Sequence, residues 1–172
     1  MIRSLPVSLL PGLALLVCAS GAAAAPVQPD KQARGVARIV SGIQVRKDND
    51  LNFATLYPYA AGTAVIDPNT DVMTTTGGVT YVSGLAYAAQ FTAVSPVKAV
   101  VIIRIPNRPA TLTRVGATES MTVSNWTLSG AGTRTVAAQE PFSFKVGGRL
   151  NVAANQAEGV YLGTFDVEIQ YP

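Results

Sequence analysis

The closing segment of the chain, EGVYLGTFDVEIQYP at residues 158–172, has a regular alternation of side chains over residues 161–171. One set of alternate positions contains Tyr161, Phe165, Val167, Ile169 and Tyr171, and the other contains Leu162, Thr164, Asp166, Glu168 and Gln170. A period of two is typical of a half-buried β-strand, because successive side chains of a strand point to opposite faces of its sheet. The alternation predicts a final strand whose aromatic and aliphatic face rests on a core within its own domain.

Earlier segments repeat this pattern in short runs. The first predicted strand is VARIVSGIQV at residues 36–45, followed by a turn at RKDND and a short strand, LNFATLYP, that ends at Pro58. Two further short strands flank a turn at DPNTD, and Gly77-Gly78 predicts another turn. The remaining predicted strands are AAQFTAV, VKAVVIIRI (apolar on both faces, as in a central strand), TLTRV, ESMTVSNW, FSFKV and RLNVAA.

After the N-terminal region, no segment has apolar residues at helical spacing over three turns. About ten short strands separated by Gly, Pro, Asn and Asp predict an all-β domain. The expected architecture is a single immunoglobulin-like antiparallel β-sandwich over residues 36–172, with no helix after residue 24.

The N-terminal region predicts export. It has a basic residue, Arg3, then an apolar run of about 11 residues and a tail of small residues, which is the layout of a cleaved signal peptide over residues 1–24. The apolar run is too short to span a bilayer. Cys18 leaves open a lipoprotein signal, although Val17 stands where such signals have a small residue. Residues 25–35 are polar and predict a flexible leader.

Composition narrows the classes of partner. Charged residues make up 13% of the chain, and the basic ones are scattered singly apart from Arg46-Lys47, so no nucleic-acid interface is expected. No second apolar segment is long enough to enter a membrane. Cys18 is the only cysteine, so the exported chain would form no disulfide and would depend on its core for stability.

The inventory of catalytic groups is small. The chain has no histidine, which removes the commonest general base and metal ligand, and we expect neither an enzyme nor a cofactor. The candidate calcium ligands are Asp48, Asp50, Asp67 and Asp71, in two oxygen-rich segments. The alternative is that Asp and Asn occur there because they form turns. A glycosidase with two facing carboxylates also remains open, since sequence does not show that geometry.

The segment around Trp126, the only tryptophan, has two interpretations. The sequence Asn125-Trp126-Thr127 is formally a glycosylation sequon, or otherwise a polar alternation on a strand. The indole could form an exposed binding platform, but a lone tryptophan in a small β-domain more often belongs to the core.

An ordered set of pieces resembles a known family. They are GIQVRKDNDLNFATLYP, AGTAVIDPNTDVMTTTGGV, AAQFTAV, SMTVSNW and VGGRLNVAANQAEGVYLGTFDVEIQYP. Together they resemble the secreted bacterial domain-of-unknown-function family 4402, whose members are similar to fimbrial subunits and spore-coat U proteins. Family members commonly have glycine where this chain has Ala54. The resemblance implies an immunoglobulin-like sandwich at or beyond the cell surface, without catalytic residues.

Two functions follow as hypotheses. A pilin-like subunit would lend an N-terminal strand to an identical or related subunit, with a periplasmic chaperone and an outer-membrane usher as assembly partners. The candidate exchange segment contains Val36, Ile39, Ile43 and Val45, although its alternation is imperfect. The alternative is a self-complete monomeric sandwich acting as a secreted or cell-surface binding module. In either case a buried, structural turn-and-strand set is expected around Gly148, Leu150, Gly159, Tyr161, Gly163 and Phe165. The final location could be periplasmic, cell-surface or extracellular.

Overall fold

The computed structural model describes residues 42–172, which form eleven strands and no helix. The all-β prediction is therefore confirmed for this part of the chain, while the predicted signal peptide and leader lie outside it. No helix among these residues is long and apolar enough to cross a membrane. The strands are β1 (Gln44–Asn49), β2 (Asn52–Ile66), β3 (Met73–Tyr87), β4 (Ala89–Val94), β5 (Ala99–Arg104), β6 (Ala110–Arg114), β7 (Ser120–Leu128), β8 (Thr133–Val136), β9 (Pro141–Val152), β10 (Tyr161–Leu162) and β11 (Glu168–Gln170).

The strands form two antiparallel sheets in a sandwich-like arrangement. The main sheet has the order β1-β4-β9-β7-β6-β10, and β2 joins it through β9 and pairs with β3. The second sheet has the order β11-β5-β8. Strand β9 organises the main sheet: one of its edges pairs first with β4 and then with β2, and the other edge pairs with β7.

The hairpin of β2 and β3 is folded back on itself. An extended strand of fifteen residues would be about 50 Å long. In this protein the two ends of β3 nevertheless meet: Asp71 precedes the strand, Ala88 follows it, and the backbone N–H of Ala88 donates to the Asp71 carboxylate at 3.1 Å. The hairpin bends at Gly62, Gly77 and Gly78, where the regular pairing between β2 and β3 is interrupted. We call residues 52–60 and 79–87 the outer arm, and residues 62–66 and 73–77 the inner arm.

Close backbone contact explains the glycines at this corner. A Cβ atom on Gly62 would lie 2.2 Å from the carbonyl oxygen of Thr76, and one on Gly78 would lie 2.4 Å from the Cβ of Ala60. Gly77 has a φ of +69°, in the left-handed region that favours glycine. The prediction of a chain-reversing turn at Gly77-Gly78 is therefore wrong: these residues bend one long strand. The predicted turn at DPNTD is confirmed, but both flanking strands are long.

Two apolar clusters form the core. The first joins the outer arm to the inner arm and to β7 and β9, and its buried members are Phe53, Ala64, Ile66, Val79, Ala88, Val123, Leu150 and Val152. The second lies between the two sheets and contains Ala89, Phe91, Ile103, Phe144 and Val146. Leu51 and Trp126 pack against both clusters. The core interpretation of Trp126 is confirmed, and its indole Nε1 donates to the carbonyl of Arg108 at 2.9 Å.

Four aromatic rings pack together in and against the second cluster. Phe91 and Phe144 are register partners on β4 and β9, and their rings stack with centroids 5.3 Å apart. Phe165 meets Phe91 edge to face at 6.4 Å and packs on Trp126 at 4.6 Å. Phe165 lies between β10 and β11, so this irregular segment contributes directly to the core.

The closing segment is two short strands instead of one. β10 pairs with β6 in the main sheet, and β11 pairs with β5 in the second sheet, because residues 163–167 pass from one sheet to the other. The predicted alternation of burial nevertheless holds: the Tyr161 set is half-buried, and its neighbours are exposed except for Gln170. The segment completes its own domain, as expected.

Three other features of the strands differ from the predictions. FSFKV and the first four residues of RLNVAA belong to the single strand β9, which ends at Val152, because Gly147 and Gly148 continue the ladder against β2 and β7. The short strand β8 was not predicted, since its four residues, TRTV, carry too little pattern. β5 is central in its sheet, as predicted, but Val100 on its outer face is 41% exposed.

Candidate strand-exchange site

The segment that could be exchanged begins the described chain at an edge of the main sheet. β1 pairs on one side with β4, and the register runs from Gln44 opposite Val94 to Asn49 opposite Gln90, with an irregularity at Asp48. In the described residues β1 has no other strand partner. Backbone hydrogen bonds to a single neighbour therefore hold this strand.

Side chains of β1 add little to the core. None is buried, and Val45 is 44% exposed. Ile43 is half-buried just before the strand, while Val36 and Ile39 lie outside the described residues. Because apolar burial is the main stabilising contribution in a fold, a strand without buried side chains detaches at a lower cost than any core strand.

The strand contains residues that were predicted to form a turn. That prediction for RKDND is wrong, because Arg46, Lys47, Asp48 and Asn49 lie in β1. Polar contacts explain the difference. The Asp48 carboxylate accepts a hydrogen bond from the Thr92 hydroxyl of β4 at 2.5 Å and from Arg46 at 2.9 Å. The Thr92 hydrogen bond, assisted by Arg46, lowers the pKa of Asp48 below its ordinary value.

The receiving strand β4 is firmly anchored. Its alternate residues Ala89, Phe91 and Ala93 are buried, and Phe91 belongs to the cluster between the sheets. β4 also pairs with β9 along its whole length. The β4 edge is therefore a rigid template, and β1 is its exposed, lightly held partner.

A small cleft borders this edge. It has a volume of about 120 Å³ and is lined by Lys47, Asp50, Ala89, Phe91, Gly163, Thr164 and Phe165. Lys47 and Asp50 form an exposed ion pair at 2.5 Å across its rim. The cleft is too small for a typical organic ligand, which needs about 300 Å³ or more.

The four candidate calcium ligands lie in separate settings. Asp48 and Asp50 have the partners described above, and Asp67 accepts from the backbone N–H of Asn69 at 2.8 Å within its turn. Asp71 forms an ion pair with Lys145 of β9 and accepts the Ala88 N–H. Residues 42–172 contain no group of three or more His, Cys, Asp or Glu side chains positioned to hold a metal ion.

The Asp71 contacts were not predicted. The hydrogen bond from Lys145, assisted by the Ala88 N–H, lowers the pKa of Asp71. Nothing in the local sequence signals a partner 74 residues away. The residue itself, with a φ of +58°, does have the left-handed conformation that Asp tolerates at turns.

Comparison with family models identifies the family of this domain. A model of the domain of unknown function DUF4402 matches residues 43–171, from the residue before β1 to the residue after β11. The chain belongs to the DUF4402 family. The comparison with curated proteins found no match. The comparison with solved structures found none either.

The DUF4402 domain contains the structural set expected from the sequence, with one correction. Gly148 and Leu150 are buried, and Tyr161 and Phe165 are half-buried. Gly159 and Gly163 are exposed, contrary to the expected burial. Gly163 is nevertheless pressed against β6, since a Cβ there would lie 2.3 Å from the Thr111 carbonyl oxygen.

One residue of β2 has an unusual backbone conformation. Ala54, where the family resemblance leads us to expect glycine, has a φ of +57°. It lies at a register shift between β2 and β3, and its N–H donates to the Asn52 side chain at 2.8 Å. A left-handed backbone at a bulge is a position that glycine occupies at a lower cost than alanine.

Proposed function

We propose that this DUF4402 protein is an exported, non-enzymatic structural subunit of the fimbria type that assembles by β-strand addition. The supporting observation is the setting of β1: an edge strand with no buried side chain, paired on one side with a rigid strand. Exchange of such a strand between subunits keeps the same hydrogen bonds and leaves the two apolar clusters intact. The partners would be identical or related subunits, delivered by a periplasmic chaperone and an outer-membrane usher.

The N-terminal sequence supports export. Its signal-peptide layout is that of a chain exported from the cytoplasm. The proposal of a non-enzymatic role has a separate support: the chain contains no histidine, which limits the catalytic chemistry available to it. The final location would be the periplasm, the cell surface or the extracellular space. No cofactor is proposed.

A second candidate function is a self-complete, monomeric binding module. The observation that favours it is that β1 occupies the β4 edge of its own chain. Under this hypothesis β1 stays in place and the domain presents its loops or faces to a ligand in the secreted or surface-bound state.

A cysteine pair distinguishes the two functions. Gln44 and Val94 are register partners at the β1–β4 edge, where the Cα separation of antiparallel neighbours permits a disulfide. The protein lacking residues 1–24 contains no other cysteine. We would produce the Gln44→Cys, Val94→Cys double variant by export to an oxidising periplasm and separate the products on a non-reducing gel.

Each outcome is informative. Strand exchange predicts a ladder of disulfide-linked subunits, because the β1 of one copy meets the β4 of another. Monomers with an internal disulfide would contradict strand addition and support the binding module. The single variant Gln44→Cys is the control, since it lacks the facing thiol and should form no ladder.

A further inference from the structure

Strand β3 has a long edge that no described strand covers. It extends over fifteen residues, and within residues 42–172 it pairs with β2 alone. The backbone N–H and C=O groups along such an edge can pair with another strand, and proteins normally protect long edges with charges, prolines or bulges.

This edge lacks charge completely. Neither β2 nor β3 contains an Asp, Glu, Lys or Arg residue, and β3 also lacks proline. The other edge strands of three or more residues each carry charge: Arg46, Lys47 and Asp48 in β1, Arg134 in β8 and Glu168 in β11. The charge pattern therefore distinguishes β3 from the other edges of the same domain.

Exposed apolar side chains lie on the same strand. Leu85 is 79% exposed, Val82 is 55% exposed and Tyr81 is 49% exposed. The Tyr81 hydroxyl donates to the Gly84 carbonyl at 2.6 Å, which limits the mobility of its ring. Burial of these side chains would add an apolar contribution to pairing along the edge.

The inner arm of β3 is suited to regular pairing. Residues 73–77 pair with 62–66 without any register shift, whereas the outer arm has shifts near Thr55. Bulges weaken strand addition, so the inner arm offers the continuous run of backbone groups. Thr74 and Thr76 are exposed on this arm.

We propose that the uncovered edge of β3 pairs antiparallel with the same edge of a second copy, forming a two-fold symmetric dimer. A two-fold axis brings a surface against its own copy, and like charges on facing strands are destabilising. A strand without charge avoids that repulsion. This interface is separate from the β1–β4 edge and does not depend on strand exchange.

The test uses residues 25–172 in solution. Light scattering after size exclusion, over about a hundredfold range of concentration, should show a reversible, concentration-dependent doubling of the molecular mass. Thr74→Lys and Thr76→Lys, both at exposed positions of the inner arm, should each raise the dissociation constant about tenfold or more, because a lysine on an edge strand opposes pairing. Leu162→Lys is the matched control, since Leu162 is 63% exposed on β10, at the opposite end of the main sheet.

Hydrogen exchange supplies an independent readout. The amides of residues 73–77 should gain protection as the concentration of the unaltered protein rises, and residues of β10 should not. A protein that stays monomeric at every concentration would overturn the proposal. A dimer without added protection at residues 73–77, or one weakened equally by Leu162→Lys, would overturn it as well.

Discussion

Asp71 forms an ion pair with Lys145, although the two residues are 74 positions apart in the sequence. Asp71 ends the turn between β2 and β3, and Lys145 lies in the centre of β9. The same carboxylate accepts the backbone N–H of Ala88, at the entry to β4. One side chain thus joins the hairpin turn, the end of the folded-back β3 and the central strand of the main sheet.

Removing the Asp71 carboxylate should destabilise the domain. We expect Asp71→Ala to lower the free energy of unfolding by about 2 kcal/mol, because two hydrogen bonds are lost and alanine disfavours a φ of +58°. Urea unfolding at pH 7 measures the effect. Asp50→Ala is the control: its ion pair with Lys47 is exposed at both ends and should contribute little. Equal losses of unfolding free energy in the two variants would contradict the conclusion that Asp71 joins the hairpin turn, the end of β3 and β9.

Stability should fall in acid because the carboxyls of Asp71 and Asp48 have lowered pKa values. Their ordinary pKa is 3.8, and hydrogen bonds from Lys145 and Thr92 respectively lower it in the folded state. The unfolded chain therefore binds protons at a higher pH than the folded protein does. The stabilisation is complete above the unfolded pKa and disappears as the pH falls through the folded pKa.

Comparison with Asp71→Asn checks this linkage. Between pH 7 and pH 3, the variant should lose less stability than the unaltered protein, because asparagine does not titrate. Urea midpoints at the two pH values give the difference. Parallel losses in both proteins would mean that Asp71 makes no contribution to the acid sensitivity.

The glycine corner of the hairpin should not tolerate a methyl group. Gly78→Ala places a Cβ 2.4 Å from the Cβ of Ala60 and 2.5 Å from its backbone nitrogen, so the arms must separate. We expect a loss of about 3 kcal/mol in the free energy of unfolding. Gly42→Ala, whose added Cβ has no atom of residues 42–172 within 4 Å, should leave the thermal midpoint unchanged. A tolerated Gly78→Ala would show that the corner is not tightly packed.

Ala54→Gly should stabilise the protein. A left-handed backbone costs an L-residue about 1 kcal/mol or more relative to glycine, and Ala54 has a φ of +57°. The expected gain is about 1 kcal/mol, measured by urea unfolding. Ala61→Gly, an exposed β2 position without a positive φ, should instead lose about 0.5 kcal/mol from the added freedom of the unfolded chain. A gain in stability for Ala54→Gly together with a loss for Ala61→Gly would show that the left-handed backbone at Ala54 is the cause. A loss in both variants would contradict it.

Within the segment between β10 and β11, substitution of Phe165 should cause the largest loss in the free energy of unfolding. Phe165→Ala removes the ring that contacts both Trp126 and Phe91, and we expect a loss of about 2–4 kcal/mol. Trp126, the only tryptophan, reports the change directly through its fluorescence emission, which should shift toward that of a hydrated indole. Leu162→Ala, on an exposed side chain three residues earlier, should change neither quantity.

The sequence by itself determined the class of the fold and which side chains of the closing segment face the core. Its period of two fixes which side chains can share a face, because that geometry is local to a few residues. This explains why the half-buried set from Tyr161 to Tyr171 was predicted although the strand is broken. The DPNTD turn and the core position of Trp126 also follow from local chemistry and from side-chain size.

The tertiary structure alone decided how the strands combine. The fold-back at Gly62, Gly77 and Gly78 depends on backbone contacts between two strands, and the same glycine pair is equally compatible with a simple turn. The strand character of residues 46–49 depends on Thr92, and the role of Asp71 depends on Lys145. These partners are distant in sequence, so the periodicity of either segment contains no information about the other.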